Sequence, residues 1–381
     1  MKFTIAVTQQ CNLGCIYCYI FKNDAVMSME TADNIIEYMF NDTPKDEKLE
    51  IGFFGGEPML EFEFIKKVIQ RIRNHKAYNS RKIELYIVSN GTIFSNAIAD
   101  ELIRLGVSFG ISCDGPSHIQ DRSRVFTDGT GTSAIVEKNI RQALQYYPFL
   151  PVNAVYTPST LEYLPDVVDY FYGLGIRVIY LSPNISAPWT QEHADMLPDL
   201  FQRIGKKYLD YYMAETPLYI SLIDGKIAVI MRSGYGALEK CRMGKGEFAF
   251  GPSGNIYPCE RLIGNDDGLS HCLGNINTIT PLQIKCSHDA HNISNDLCQR
   301  CELNSYCMNW CGCTNYYATG DYNSPGPFIC ASEKASISVA LELINTLGAK
   351  GISFSDHLAG TPLMSIIGEA SKSFQVSTIA E

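Results

Sequence analysis

What limits this chain most is a repeat of two patterns through its first half. Short apolar runs at residues 3–7, 49–54, 83–88, 107–112, 152–156 and 176–181 alternate with helical spacing at 31–40, 62–72, 93–105, 133–147 and 164–172. The stretch 62–72 shows the spacing plainly, with Phe64, Ile65, Val68, Ile69 and Ile72 on one face. Six strands separated by helices of this length imply parallel βαβ units with right-handed crossovers. Strands this short and this apolar fit a sheet covered on both sides. The expected fold class is α/β, with ligands at the carboxyl ends of the strands. The repeat by itself leaves open whether the sheet closes toward a barrel.

The cysteines divide the chain. Fourteen are present; Cys11, Cys15 and Cys18 stand together, Cys113 is alone, and ten fall between Cys241 and Cys330. The first three follow the first strand in a C-x3-C-x2-C loop. Thiolate-rich sites select iron–sulfur clusters, zinc or copper(I). Three cysteines with no histidine beside them suit a four-iron cluster with one iron left open better than they suit zinc. They are spaced too tightly for a disulfide framework, and the N-terminus lacks the apolar core of an export signal. The net charge of −10 argues against nonspecific nucleic-acid binding. No run of eighteen apolar residues implies a membrane span. A cytoplasmic protein with no nucleic-acid or membrane partner is expected, and 381 residues call for more than one core.

Three further motifs close other strands. Gly55-Gly56-Glu57-Pro58 follows the second; its glycines would let backbone approach a ligand closely. Ser89-Asn90-Gly91-Thr92 follows the third, where Asn-Gly alone reads as a turn. Ser112-Cys113-Asp114-Gly115-Pro116 follows the fourth, with Asp121 and Arg124 after it; the plain reading is a loop with a local ion pair and Cys113 a small buried residue. Asn153, a polar residue in an apolar strand, needs a partner.

In the second half the spacing runs Cys241, Gly254, Cys259, then Cys298, Cys301, Cys307 and Cys311, then Cys330. Gly-Pro-Ser-Gly at 251–254 reads as a hairpin turn that delivers Cys259 at its end. Paired structural zinc knuckles are one reading of C-x2-C spacing.

The first loop resembles the signature of the radical S-adenosylmethionine (SAM) enzymes, and Tyr17 before its last cysteine belongs to that signature. The resemblance covers the first 235 residues or so and implies a partial (β/α)6 TIM-like barrel in which SAM binds the open iron. It implies that Gly55, Gly56, Glu57 and Pro58 meet the amino group of SAM, that Ser89 and Asn90 lie near its ribose, and that Ser112, Asp114 and Arg124, with Asn153 pointing inward, line the SAM or substrate side. The second cysteine set is similar to the SPASM extension of peptide-modifying members. That similarity implies two auxiliary [4Fe-4S] clusters, three in all: Cys298, Cys301, Cys307 and Cys330 on one, Cys241, Cys259 and Cys311 on the other. Sulfatase-maturing relatives carry a further cysteine where this chain has Tyr235, so the nearer cluster either has an open iron or borrows Cys272, Cys286 or Cys313. They also carry an Asp base where this chain has Glu260, which is read first as an ion-pair partner of Arg261 or Arg242 and second as a catalytic proton acceptor.

The expected organisation is thus a barrel with connector helices at 1–235, a cysteine-rich auxiliary-cluster domain with a hairpin at 236–330, and a helical tail at 331–381. The expected activity is maturation of a ribosomally made peptide, first by a thioether or other crosslink on the motive of an open iron. Sulfatase maturation, oxidising Cys or Ser to formylglycine, is the alternative, and a noncatalytic metal-bound scaffold a third. A flavodoxin- or ferredoxin-like electron donor is implied. The signature loop lies ten residues from the first residue, so leader recognition is expected to use the tail, a separate protein or the basic cluster of Lys66, Lys67, Arg71, Arg73, His75, Lys76, Arg81 and Lys82. That cluster also reads as an ordinary solvated helix face.

Overall fold

The computed structural model describes residues 1–216, 218–236, 240–278 and 295–351. Its strands are β1 (Lys2–Thr8), β2 (Leu49–Gly55), β3 (Ile83–Ser89), β4 (Val107–Ser112), β5 (Pro151–Tyr156), β6 (Val178–Pro183), β7 (Tyr219–Ile220), β8 (Glu247–Phe250), β9 (Asn255–Tyr257) and β10 (Gly274–Asn275). The helices are α1 (Met29–Asp42), α2 (Phe62–Asn74), α3 (Asn96–Arg104), α4 (Ser117–Ser123), α5 (Ser133–Ala143), α6 (Leu164–Leu174), α7 (Gln191–Met213), α8 (Ser221–Met231), α9 (Asp296–Gln299), α10 (Gly312–Thr319) and α11 (Pro327–Ala349). All six expected strands form, and β1 to β6 pair in sequence order, each parallel to the next.

Helix ends follow local chemistry. Ser28 caps α1 through a 3.0 Å bond from the Thr31 amide, and α1 stops before Pro44. Ser95 caps α3, so that helix begins at Asn96 rather than at 93. Asp121 accepts from the Thr132 and Ser133 amides and starts α5. The short helix α4, between β4 and α5, carries too little apolar periodicity to be read from the sequence.

The sheet is longer than six strands. Its order is β10-β9-β8-β1-β2-β3-β4-β5-β6-β7, with β7 and β10 at the edges, which makes a partial barrel. The hairpin of the cysteine-rich region forms as expected: Gly254 takes a φ of 85° and its amide bonds Gly251 O at 2.9 Å. Strand β8 then lies parallel to β1, with Lys2 opposite Glu247 and Ile5 opposite Phe250. Phe248, Phe250 and Ile256 share one buried core with the barrel strands. Cys259 is therefore placed by the same sheet that places Cys11.

The two faces of the barrel sheet differ, contrary to the reading of strands apolar throughout. Phe3, Ile5 and Val7 of β1 face the helices and are fully buried. Lys2 and Thr4 face inward, with Glu50, Tyr86, Ser108, Ser112, Asn153 and Tyr180 from the neighbouring strands. The strand period of two thus sets an apolar layer against a polar, ligand-accessible one.

The tail helix is longer than the expected 336–347 and carries Cys330 in its first turn. It packs along α7 and α8, with Phe328 stacked on Trp189 at 3.9 Å. The expected short helix at 362–367 lies outside the described residues. No described helix is long and apolar enough to cross a membrane. The basic cluster is largely engaged locally: Lys66 pairs with Glu63 and Arg71 with Asp33, His75 stacks on Phe40, and Arg73 and Arg81 donate to backbone carbonyls.

At the α7–α11 crossing Gly205 is buried, and a Cβ there would lie 2.6 Å from Cγ1 of Val339. Gly205→Leu is expected to destabilise the protein by about 1–3 kcal/mol through overpacking, read as a lower urea midpoint; an unchanged midpoint would contradict this packing.

Candidate functional site

The loop after β1 is held from two sides. Leu13 is fully buried; the Gly14 amide bonds Val125 O at 2.7 Å and the Ile16 amide bonds Ser123 O at 3.0 Å. From the other side the Gly56 amide bonds Thr8 O and the Glu57 amide bonds Gln10 O, both at 2.8 Å. A Cβ on Gly55 would come within 2.1 Å of Thr8 O, and one on Gly56 within 2.1 Å of Gln10 O. The close approach these glycines allow is to the backbone that leads into the cysteine loop.

Glu57 fastens this junction to β3. Its buried carboxylate accepts from the Met59 amide (3.0 Å), the Ser89 hydroxyl (2.8 Å) and the Asn90 amide (2.7 Å). Burial raises its pKa, and those three donors oppose the rise. Asn90 Nδ2 donates to Asn12 Oδ1 at 2.8 Å, and Asn12 in turn donates to Thr92 at 2.8 Å. Asn12 was not expected here; nothing but its place inside the cysteine loop marks it.

Asp114 ties the fourth expected motif to the same loop. One carboxylate oxygen accepts from Arg124 Nε at 3.1 Å and the Val155 amide at 3.0 Å; the other accepts from the Tyr17 hydroxyl at 2.5 Å. Arg124 also lies over the Tyr17 ring, 5.5 Å from its centre. The local ion pair read from the sequence exists, and its partner across the site is the signature tyrosine. Cys113 is buried as expected, and burial pushes its thiol up to about 12.

These pieces surround a cavity of about 750 Å³. Cys11, Cys15 and Cys18 line one end, with Gly55, Gly56, Glu57, Pro58, Ser89 and Asn90; Ser112, Arg124 and Asn153 line its wall. Lys2, Glu50, Tyr86, Glu260 and Arg261 line the other end. Tyr86 reaches across β2 because Gly52 leaves room: a Cβ there would meet the ring at 2.3 Å.

Glu260 departs from the expected pairing. Arg242 pairs with Glu47, and Arg261 Nη1 donates to Thr314 Oγ1 at 3.3 Å. The ion-pair partner of Glu260 is Lys2, at 3.7 Å, and Lys2 also binds Glu247 at 2.6 Å. Burial alone would raise Glu260, but Lys2 and Arg261 outweigh it and hold its carboxyl below the usual range. Glu247 goes up instead, by burial and by repulsion from Glu260. Lys2 could have been found from the inward period of β1; Glu247 required the β1–β8 pairing, which sequence does not announce.

In the second cysteine region Cys241, Cys259, Cys311 and Cys313 gather with Met243 and Leu262. Glu247, Cys259 and Glu260 also present ligand atoms within 4.8 Å of one another. Cys298 lies near Cys330 and Cys301, while Cys307 lies near Glu333 and Lys226. Cys286 lies outside the described residues.

Comparison with known proteins bears on this arrangement. The model of the radical SAM superfamily matches residues 5–184. An uncharacterised protein of Methanocaldococcus jannaschii is 31% identical over 277 residues, covering 72% of this chain and 87% of its own. A cysteine-type anaerobic sulfatase-maturating enzyme of Clostridium novyi is 23% identical, covering 67% of this chain and 72% of its own. The solved structure of anSMEcpe with bound AdoMet and the Cp18Cys peptide superposes with a TM-score of 0.76 at 21% identity, covering 91% of this chain and 99% of its own.

Asp114→Asn leaves Arg124 buried without a full counter-charge. It is expected to cost roughly 3 kcal/mol in chemical denaturation and to lower iron retention at the first loop; a variant as stable and as iron-rich as the parent would contradict this role of the Tyr17–Asp114–Arg124 group.

Proposed function

The chain belongs to the radical SAM superfamily, and on that footing we propose that it is a peptide or protein maturase that oxidises a Cys or Ser side chain of its substrate. The observation that carries this reading is the single cavity joining the three-cysteine loop to Glu260, directly after Cys259. A substrate residue lying between them meets the hydrogen-abstracting end and a carboxylate at once. The sulfatase-maturating relatives and the structural likeness over 91% of the chain support the same class.

The donor set fits the implied groups. Three thiols face one end of the cavity, and soft donors of this kind suit an iron–sulfur cluster. When bound, that cluster and SAM supply a 5′-deoxyadenosyl radical, which removes one hydrogen atom from the substrate. The remaining work falls to the chain. Cys11, Cys15 and Cys18 would hold the first cluster; Glu57, Ser89 and Asn90 keep their loop in place. The Tyr17–Asp114–Arg124 group fixes its far side and, with Asn153, shapes the SAM and substrate wall.

Loss of one proton and one further electron from the substrate radical gives an aldehyde directly from Ser, and from Cys a thioaldehyde that water hydrolyses to the aldehyde with release of hydrogen sulfide. Glu260 is the proton acceptor in this reading, held by Lys2. Cys241, Cys259 and Cys311, and separately Cys298, Cys301, Cys307 and Cys330, would hold the auxiliary clusters, which would supply an acceptor for that electron. A flavodoxin- or ferredoxin-like protein supplies the electron that starts each turnover. The thioether reading rested on an open iron at the nearer set, and the position of Cys313 beside Cys259 and Cys311 weakens that motive.

The test is anaerobic turnover with SAM, dithionite and a panel of Cys- and Ser-containing peptides, scored by mass spectrometry. The parent is expected to make 5′-deoxyadenosine and an aldehyde-bearing peptide, and Cys15→Ala neither. Glu260→Gln should still yield 5′-deoxyadenosine while peptide oxidation falls on the order of 10²-fold or more. A crosslinked peptide in place of the aldehyde would overturn the oxidation reading; undiminished oxidation by Glu260→Gln would remove that residue from it.

A further inference from the structure

Tyr235 stands where the sulfatase-maturing pattern has a cysteine, and the structure commits it elsewhere. Its hydroxyl accepts from Lys226 Nζ at 3.3 Å, and its ring meets Trp310 edge-on at 5.2 Å. Its amide bonds Ser305 O at 3.0 Å. This corner is shared with Cys307, of the other cysteine set.

Cys313 lies where a fourth donor would be needed. It follows Cys311 by two residues, in the first turn of α10, and is 3% exposed. Its thiol is 3.8 Å from that of Cys311 and in hydrogen-bond contact with that of Cys259. Cys241 joins the same group and accepts from the Gly312 amide, at the helix start. Arg261 lies in the same neighbourhood, with its side chain bonded to Thr314. A buried cysteine is usually a small apolar filler. A thiol touching two others, in one group with Cys241, is poorly placed for that role and well placed as a further metal donor. The competitor Cys272 belongs elsewhere: its thiol donates to Gly274 O at 3.2 Å, and it packs against a different buried group, that of Ala6, Ala249 and Tyr257.

We infer that Cys313 is the fourth protein thiolate of the cluster held by Cys241, Cys259 and Cys311, so that this cluster presents no open iron to a substrate. The inference rests on the reading above that this cysteine set holds a four-iron cluster. A cluster closed in this way passes electrons but does not ligate a substrate thiol.

The experiment reconstitutes the full-length parent, Cys259→Ala, Cys313→Ala, Cys313→Ser, Cys272→Ala and Cys286→Ala anaerobically. It measures iron and sulfide per chain and, in a Cys15→Ala background that removes the open iron of the first loop, records EPR of the reduced proteins with and without an added small thiol. The parent should hold about four irons more than Cys259→Ala. Cys313→Ala should either lose the same irons or keep them with shifted g values that move again on adding thiol, a response absent in the parent. Cys313→Ser, close in volume, carries the same measurement if the alanine variant fails to fold. Parent-like iron and spectra in both Cys313 variants would overturn the inference while leaving the cluster reading standing. A thiol response in the parent, or a shift in Cys272→Ala or Cys286→Ala in place of Cys313→Ala, would also overturn it. Equal iron together with identical EPR in the parent and Cys259→Ala would remove the cluster itself, and the inference with it.

Discussion

Where β1 gives way to the cysteine loop, two backbones approach so closely that a Cβ on Gly55 or Gly56 would strike a carbonyl oxygen at 2.1 Å. Gly55 also takes a φ of 140°, outside the range of ordinary side chains. This contact lets Glu57 turn inward and accept three hydrogen bonds, two of them from β3 and the loop after it. The loop after β3 then reaches back to Asn12. A loop carrying three metal-seeking thiols has little reason to hold one shape by itself, and these neighbours impose one. The Tyr17–Asp114–Arg124 group does the same from the opposite side, so the thiols are presented by a frame built from four strand ends.

The pairing of β8 with β1 has the second organising effect. It makes the cysteine-rich region an extension of the barrel sheet and puts Glu247 beside Lys2. The carboxylates of Glu247 and Glu260 are both drawn to that one lysine at the floor of the cavity. The residue next to Cys259 is thereby fixed relative to the three-cysteine loop by strand register. From the far side, α11 carries Cys330 and lies along α7 and α8, so the second cysteine set is anchored to the barrel's helical layer as well.

Much of this was legible in the residues. Hydrophobic spacing located six strands and their parallel βαβ connection, because each unit buries its own apolar face against its neighbours. The motifs after the strands marked the site, since ligand-end loops carry residues that apolar packing would not select. The sequence reading missed what depends on pairing between distant segments: Lys2 with Glu260 across 258 positions, and the union of two cysteine regions in one sheet. It also passed over the alternation of Lys2-Phe3-Thr4-Ile5, whose period of two already separates a wet face from a dry one. Cys313 was one of three candidates by position, and only packing distinguishes it from Cys272.

The central claim is that the Cys11–Cys15–Cys18 loop holds a cluster with an iron open to SAM. The most direct measurement is EPR of the dithionite-reduced protein in a Cys259→Ala, Cys301→Ala background, before and after adding SAM. The account predicts a reduced-cluster signal that changes shape when SAM is added and vanishes when Cys15→Ala is introduced. A signal indifferent to SAM, or one that survives loss of Cys15, would contradict it.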